Sequence, residues 1–199
     1  VKIILCPNPF RDKGLKAARS TERLLSAAGV HTEYCFPFPV EKSNIGEIDP
    51  AIKIKEMKTE LPDADFLVCF GGDGTILHAA KDASSFGVPI VGVNMGSVGF
   101  MAELEQGELL QLTRLISGEY SLENRMLLDV RVIREGRVIF RSTALNDAVI
   151  TKGAVARVID LQVYGDKILI SNVFGDGVIL ATPTGSTDPS WNQRRRILL

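Results

Sequence analysis

The residues best suited to chemistry are three glycines and an aspartate in the run Gly71-Gly72-Asp73-Gly74-Thr75. The run follows an apolar stretch and precedes residues with helical spacing. Glycine lets a backbone turn tightly and approach a ligand closely. The start of a helix adds free N–H groups and a partial positive charge, which favour a bound phosphate. This segment is therefore a candidate phosphate-binding loop.

Asp73 is the unexpected member of such a loop, because its negative charge opposes that of a phosphate. Two roles would explain it. Asp73 could accept a proton from an attacking hydroxyl, or it could hold a metal ion that travels with the phosphates. The structural alternative is a tight turn in which Asp73 caps the helix. The residues alone leave these alternatives open.

Further polar segments occur beside predicted strands, and each could be either a ligand contact or a turn. Neighbouring amide and carboxylate groups can bond sugar hydroxyls, and a loop of small hydroxyl residues can hydrogen-bond a nucleotide. The two histidines are isolated and are expected to be structural. The segments are NMGSVGF (residues 94–100), Asn146-Asp147, GDG (residues 175–177) and TPTGST (residues 182–187).

Several site types are not supported by the sequence. It contains no GxxxxGK[ST] motif, which excludes a P-loop enzyme, and residues 92–99 lack the GxGxxG spacing of dinucleotide-binding dehydrogenases. No His, Cys, Asp or Glu cluster has metal-ligand spacing, so no metal site from the protein is predicted. Cys6, Cys35 and Cys69 form no CxxC pair and are expected to be buried thiols in a reducing compartment.

The elements that must position these residues change character along the chain. Strand and helix patterns alternate through residues 1–122, which predicts an α/β domain with a parallel sheet. Strands are expected near residues 2–6, 32–36, 65–70 and 89–93, and helices near 15–28, 75–82 and 104–117. From residue 127 the apolar period is two, which predicts an antiparallel β-rich domain over residues 123–199.

Composition limits the choice of partners. The chain has 199 residues and a formal net charge of −1, which gives no support for general nucleic-acid binding. No apolar run approaches the ~18 residues of a membrane span. We therefore expect a cytoplasmic protein that binds neither nucleic acid nor membranes.

The order of the motifs resembles that of the NAD kinases (the ATP-NAD kinase family). The matching segments are PNP at residues 7–9, GGDGT at 71–75, NMGSVGF at 94–100, LND at 145–147, GDG at 175–177 and TPTGST at 182–187. GGDGT alone also occurs in diacylglycerol and sphingosine kinases, and phosphofructokinases carry a related GGDG. The NxGxxGF and TPTGST segments narrow the choice to the NAD kinases.

The resemblance implies an activity and a set of site residues. The activity is phosphoryl transfer from Mg-ATP, or from polyphosphate in some members, to the adenosine-ribose 2′-hydroxyl of NAD, in a cleft between the two domains. The magnesium ion would come with ATP. Members are usually homo-oligomers, so a dimer or tetramer is expected, and a neighbouring subunit can contribute to the site.

Asp73 would be the catalytic residue that activates the 2′-hydroxyl. The remaining residues that the resemblance assigns to nucleotide binding are Gly71, Gly72, Gly74, Thr75, His78, Asn94, Asn146, Asp147, Asp176, Thr184, Ser186 and Thr187.

The sequence departs from the family pattern after Thr187. Asp188 and Pro189 stand where members normally carry Ala-Tyr, and residues 188–199 lose the strand rhythm. We therefore expect a chain truncated or frameshifted near Thr187, with an incomplete β-rich domain and an atypical tail. Two alternatives to an active NAD kinase remain: a lipid kinase of the diacylglycerol type, and a non-catalytic nucleotide-binding remnant.

Overall fold

The computed structural model describes residues 1–41, 46, 48–96, 99–153 and 157–186, and the backbone of residues 197–198. The chain forms two compact units, Val1–Glu123 and Asn124–Leu199. The first unit combines parallel strands with helices, and most strand pairs of the second are antiparallel. The predicted fold class is confirmed.

The first unit is built on a six-stranded parallel sheet. Its strands are β1 (Lys2–Pro7), β2 (His31–Cys35), β3 (Ile54–Lys55), β4 (Phe66–Gly71), β5 (Ile90–Asn94) and β6 (Leu104–Glu105). The strand order is β3-β2-β1-β4-β5-β6, and it reverses direction between β1 and β4. Ligands of open α/β sheets bind at such a switch point, beyond the carboxyl ends of the strands. The two-residue strands β3 and β6 were not predicted, since so short a run carries no periodicity.

The helices of the first unit are α1 (Lys16–Ala27), α2 (Met57–Glu60), α3 (Asp73–Phe86) and α4 (Arg114–Ser117). Helix α3 begins two residues earlier and ends four residues later than predicted, and Gly87 closes it with φ of 68°. The predicted helix over 104–117 is wrong in its first part. Its first two residues join the sheet as β6, and a 3-10 segment, Gln106–Thr113, precedes α4.

The core of this unit lies around its central strands. Every residue of β4 is buried, which matches the apolar run predicted for a strand covered on both faces. Ile3, Val68 and Phe70 are fully buried and share one cluster with Leu25 of α1 and with Leu112. This packing positions the end of β4, which leads into residues 71–75, called the glycine loop below.

The three cysteines are buried free thiols, as predicted. Cys6 and Cys69 are direct neighbours in the register of β1 and β4. Burial raises the pKa of the Cys35 thiol to about 12, and it raises the pKa of Cys6 as well. Raised pKa values favour the protonated, less nucleophilic form of both thiols at neutral pH.

The described residues of the second unit form β7 (Leu128–Arg134), β8 (Arg137–Ala144), β9 (Asp147–Thr151), β10 (Ile159–Gly165), β11 (Ile168–Gly175), β12 (Gly177–Ala181), α5 (Pro183–Ser186) and β13 (Ile197–Leu198). Strands β7 and β8 form an antiparallel hairpin, as do β10 and β11. Strand β12 pairs antiparallel with β9 and parallel with β13. Ile197 and Leu198 thus form a strand in the tail predicted to lack one, because backbone pairing with β12 needs no apolar period.

Among the described residues, no helix has the length and apolarity needed to cross a membrane.

Candidate functional site

The glycine loop occupies the junction between β4 and α3. A Cβ at Gly71 would lie 2.1 Å from the Thr75 hydroxyl oxygen, so glycine is required there by internal packing. Gly72 and Gly74 differ, because a Cβ at either would meet nothing within 4 Å. Their backbone is therefore open to an approaching ligand, beside N–H groups that have no acceptor within the helix.

Asp73 is the first residue of α3, and the helix cap is Gly72. The proposed capping role is therefore wrong, since the carboxylate turns to the segment that joins β5 and β6. Its Oδ1 accepts the Met101 N–H at 3.1 Å, and its Oδ2 accepts the Phe100 N–H at 3.3 Å. Two backbone donors thus fix the carboxylate at the positive end of the helix.

Asn94 positions the segment that carries those two donors. It is 5% exposed, and its Nδ2 donates to both carboxylate oxygens of Glu105 at 3.1 and 3.2 Å. Its Oδ1 accepts the Gly96 N–H at 3.0 Å. The described contacts of this amide are thus internal to the β5–β6 connection, where Asn94 was predicted to bind nucleotide.

Glu105 had no predicted role. Its pairing with Asn94 depends on the register of β5 and β6, in which the two residues are neighbours. No motif marks that register, since β6 is only two residues long.

Asn8 was also not assigned a role, although it is the central residue of the PNP motif. Its backbone N–H donates to the Phe70 carbonyl at 2.8 Å, and its Nδ2 donates to the Thr75 hydroxyl at 3.1 Å. Asn8 therefore fastens the chain after β1 to the glycine loop after β4. The position of Asn8 directly after a predicted strand is the sequence feature that could have indicated this role.

Two aromatic groups extend this edge of the sheet. Phe100 is 61% exposed, and its own backbone N–H is one of the donors to Asp73. His78 is an exposed residue of α3, and its ring lies edge-on to Phe38 with centroids 5.4 Å apart. His78 is one of the predicted nucleotide-binding residues, whereas Phe100, the last residue of the NMGSVGF segment, had no predicted role.

In the second unit the LND and TPTGST segments lie together. The buried Thr182 hydroxyl donates to the Leu145 carbonyl at 2.6 Å, and the Thr182 N–H donates to the Asn146 carbonyl at 2.8 Å. A Cβ at Gly185 would lie 2.3 Å from the Asn146 carbonyl oxygen. This close packing explains the glycine. Residues 183–186 form the helical turn α5 rather than the predicted loop.

The remaining described candidates of this unit lie at the two ends of the β9–β12 pair and in α5. Asp147 opens β9, while Asp176 precedes β12 at the opposite end of that pair, roughly 17 Å away along the strand. Asp176 forms an ion pair with Lys152 at 2.8 Å. Thr184 and Ser186 lie in α5, where the Ser186 hydroxyl donates to the Pro183 carbonyl. Thr187 lies outside the described residues.

The magnesium ion expected with ATP has no ligand set predicted from the protein. Within the part of the chain that the structure describes, no group of three or more His, Cys, Asp or Glu side chains could hold a metal ion.

The fold and the sequence both match known kinases. Yeast NADH kinase, solved in complex with NADH, superposes with a TM-score of 0.79 over 100% of this chain and 62% of its own, at 22% identity, which establishes the shared fold. The model of the ATP-NAD kinase N-terminal domain matches residues 4–120, and that of the C-terminal domain matches residues 145–190.

Curated relatives agree with this assignment. The chain is 36% identical over 187 residues to the NAD kinase of Caldanaerobacter subterraneus subsp. tengcongensis, covering 94% of this chain and 64% of that protein. It is 47% identical over 124 residues to the NAD kinase of Syntrophotalea carbinolica, covering 62% of this chain and 44% of that protein. The chain belongs to the ATP-NAD kinase family.

The chain thus spans at most about two thirds of the length of these relatives. The alternative of a diacylglycerol-type lipid kinase is not favoured, because both domain models and these relatives are NAD kinases.

Proposed function

We propose that this chain transfers the γ-phosphoryl group of Mg-ATP to the adenosine-ribose 2′-hydroxyl of NAD and so forms NADP. The observation that carries the proposal is the fixed carboxylate of Asp73 at the start of α3, held by the N–H groups of Phe100 and Met101. Family membership supports the choice of acceptor.

In this proposal Asp73 accepts the proton of the 2′-hydroxyl as its oxygen attacks the γ-phosphorus, while ADP leaves from the opposite side. Open backbone at Gly72 and Gly74 lets the phosphates approach the first turn of α3. Alignment of the two reactants contributes about 7–11 kcal/mol to such a reaction, and a positioned base adds a factor of about 10²–10⁴. The protein supplies position and charge, which is what phosphoryl transfer requires.

The other assignments remain part of the proposal. Asn146, Asp147, Asp176, Thr184, Ser186 and Thr187 would bind the dinucleotide, and magnesium would enter with ATP. Asn94 would act by shaping the loop beside Asp73. We also propose a cytoplasmic homo-oligomer, in line with the family. Polyphosphate is the alternative donor.

The test is NADP formation by the full chain and by its D73N variant. Turnover should fall by about 10²–10⁴ in D73N, while NAD binding stays near the wild-type value. D82N is the matched control, because Asp82 lies in the same helix nine residues further on, and it should keep full turnover.

Two results would contradict the proposal. Unchanged turnover in pure D73N would remove Asp73 from the mechanism. A folded wild-type chain that binds NAD but forms no NADP with ATP or polyphosphate would be a non-catalytic remnant. Phosphorylation of a diacylglycerol micelle in place of NAD would point to the lipid kinase.

A further inference from the structure

Three rings gather at the carboxyl edge of the first unit's sheet. Phe10 follows β1, Phe38 follows β2, and His78 lies on α3. The rings of Phe10 and Phe38 are nearly parallel, with an interplanar angle of 11° and centroids 6.3 Å apart. His78 meets Phe38 edge-on. We call Phe10, Phe38 and His78 the ring cluster.

The side chains of the ring cluster are more exposed to solvent than those of the hydrophobic core. Phe10 is 48% exposed, Phe38 is half-buried and His78 is exposed. A planar group could therefore stack on the cluster without displacing a core side chain. Stacking of a nucleobase on an aromatic side chain is a common and sequence-tolerant way of binding nucleotides.

Its place in the fold points to a nucleotide. Phe10 lies in the segment after β1 and the glycine loop follows β4, and the strand order of the sheet reverses between these two strands. Asn8, two residues before Phe10, is bonded to Thr75 of the glycine loop at 3.1 Å. The ring cluster therefore borders the switch-point crevice in which ligands of this architecture bind.

We infer that the ring cluster binds the base of the phosphate donor, an adenine nucleotide. This inference rests on the proposed function. The acceptor's adenine is attached to the same ribose as the reacting hydroxyl, so it must stay close to Asp73, where the exposed ring of Phe100 is available. The donor's base is separated from the reacting phosphorus by a ribose and two further phosphates. His78 lies five residues after Asp73, roughly 7.5 Å along the helix axis, which suits that greater separation.

The test compares three probes on the full chain by titration calorimetry: ATP, inorganic tripolyphosphate and NAD. Removal of the Phe10 ring in F10A should weaken ATP binding about tenfold or more. Binding of tripolyphosphate, which has no base, should not change, and neither should binding of NAD. F10W, which keeps an aromatic surface, should bind ATP within about threefold of the wild type.

F86A is the matched control. Phe86 is also an exposed phenylalanine of the first unit, but it lies at the other end of α3, and its removal should leave all three affinities unchanged. Thermal melting of each variant checks that the first unit stays folded.

Each other result overturns the inference in a recognisable way. Equal ATP affinity in F10A and wild type would mean that the ring cluster does not hold the donor. Equal weakening of ATP and tripolyphosphate would place the effect on the phosphates, and selective weakening of NAD would assign the cluster to the acceptor. A wild-type chain that binds neither ATP nor tripolyphosphate would overturn the proposed function itself.

Discussion

The two units of this chain bury their apolar side chains to very different degrees. In the first unit the central strands β1 and β4 are covered on both faces, and Phe70 has no exposed surface. In the second unit, large apolar residues of the hairpin strands face solvent, among them Ile133, Ile168 at 71% and Phe174 at 76% exposure. Only Val178 and Ala181 of β12 join the buried apolar residues among the described positions after 123.

This difference decides how each unit holds its candidate residues. The glycine loop and Asp73 lie at the end of β4 and the start of α3, and both elements have buried apolar residues in the first unit. Asn146 and the α5 turn are held instead by backbone bonds to Thr182 and by close packing at Gly185. Since few buried apolar contacts imply low local stability, we expect the first unit to be the more stable one.

The largest expected effect comes from removing a buried ring in the first unit. F70A should lower the free energy of unfolding by about 3–5 kcal/mol, because it loses apolar burial and leaves a cavity in the core. F174A removes the same group from a 76% exposed position of β11 and should change stability by less than about 0.5 kcal/mol. Urea unfolding followed by circular dichroism measures both.

If F174A were as costly as F70A, the ring of Phe174 would be buried in solution. The contrast between the two units would then be wrong.

A smaller effect is expected from substituting Asn94, whose side-chain amide bonds within the β5–β6 connection beside Asp73. N94D places a carboxylate against Glu105 in a buried position and should cost about 1–3 kcal/mol of stability, together with a loss of turnover. In the double variant N94D/E105Q, the side chain at position 105 becomes the donor and the side chain at position 94 the acceptor. The hydrogen bond between the two positions is thereby restored in the opposite direction. The double variant should recover most of the stability and turnover, as measured by urea unfolding and NADP formation.

Failure of the second substitution to rescue the first would show that Asn94 does not act through Glu105. The predicted contact of Asn94 with nucleotide would then be the explanation left to test.

The smallest effect concerns ion pairs. Glu60 accepts a hydrogen bond from Lys2 at 2.8 Å, and this bond, followed by that from Lys55, holds the pKa of Glu60 below its usual value of 4.5. Because the pKa is lower in the folded state, the stabilisation is present above about pH 4.5 and is lost as the pH falls through the folded pKa. E60Q should therefore cost about 1 kcal/mol at pH 7 and progressively less below pH 4.5.

D129N makes the matching change in the second unit. Hydrogen bonds from Arg131 and then Arg141 lower the pKa of Asp129, but the side chain is 40% exposed. Its effect should be weaker than that of E60Q and should disappear in about 1 M salt. Equal, salt-independent losses for both variants would argue against the difference in burial. Urea unfolding across pH and salt measures the pair.

Patterns of local sequence identified most strands and the chemistry-bearing loop. The continuous apolar run of β4 and the period of two from residue 127 onward made the two kinds of sheet predictable. The two-residue strands β3, β6 and β13 were not predicted, because so short a run has no apolar period of its own. Each is defined only by its pairing with a neighbouring strand. The predicted helix over 104–117 failed for the same reason at its start.

The sequence by itself determined that a carboxylate stands among glycines between a buried strand and a helix, since residue types and spacing are properties of the chain. Only the tertiary structure decided what that carboxylate contacts, because Phe100 and Met101 reach Asp73 from the connection beyond β5. It likewise decided that Asn94 faces Glu105 and that Phe10 stacks on Phe38. Such contacts depend on strand register and on which loops meet at one edge of the sheet. The local sequence pattern contains no information on either.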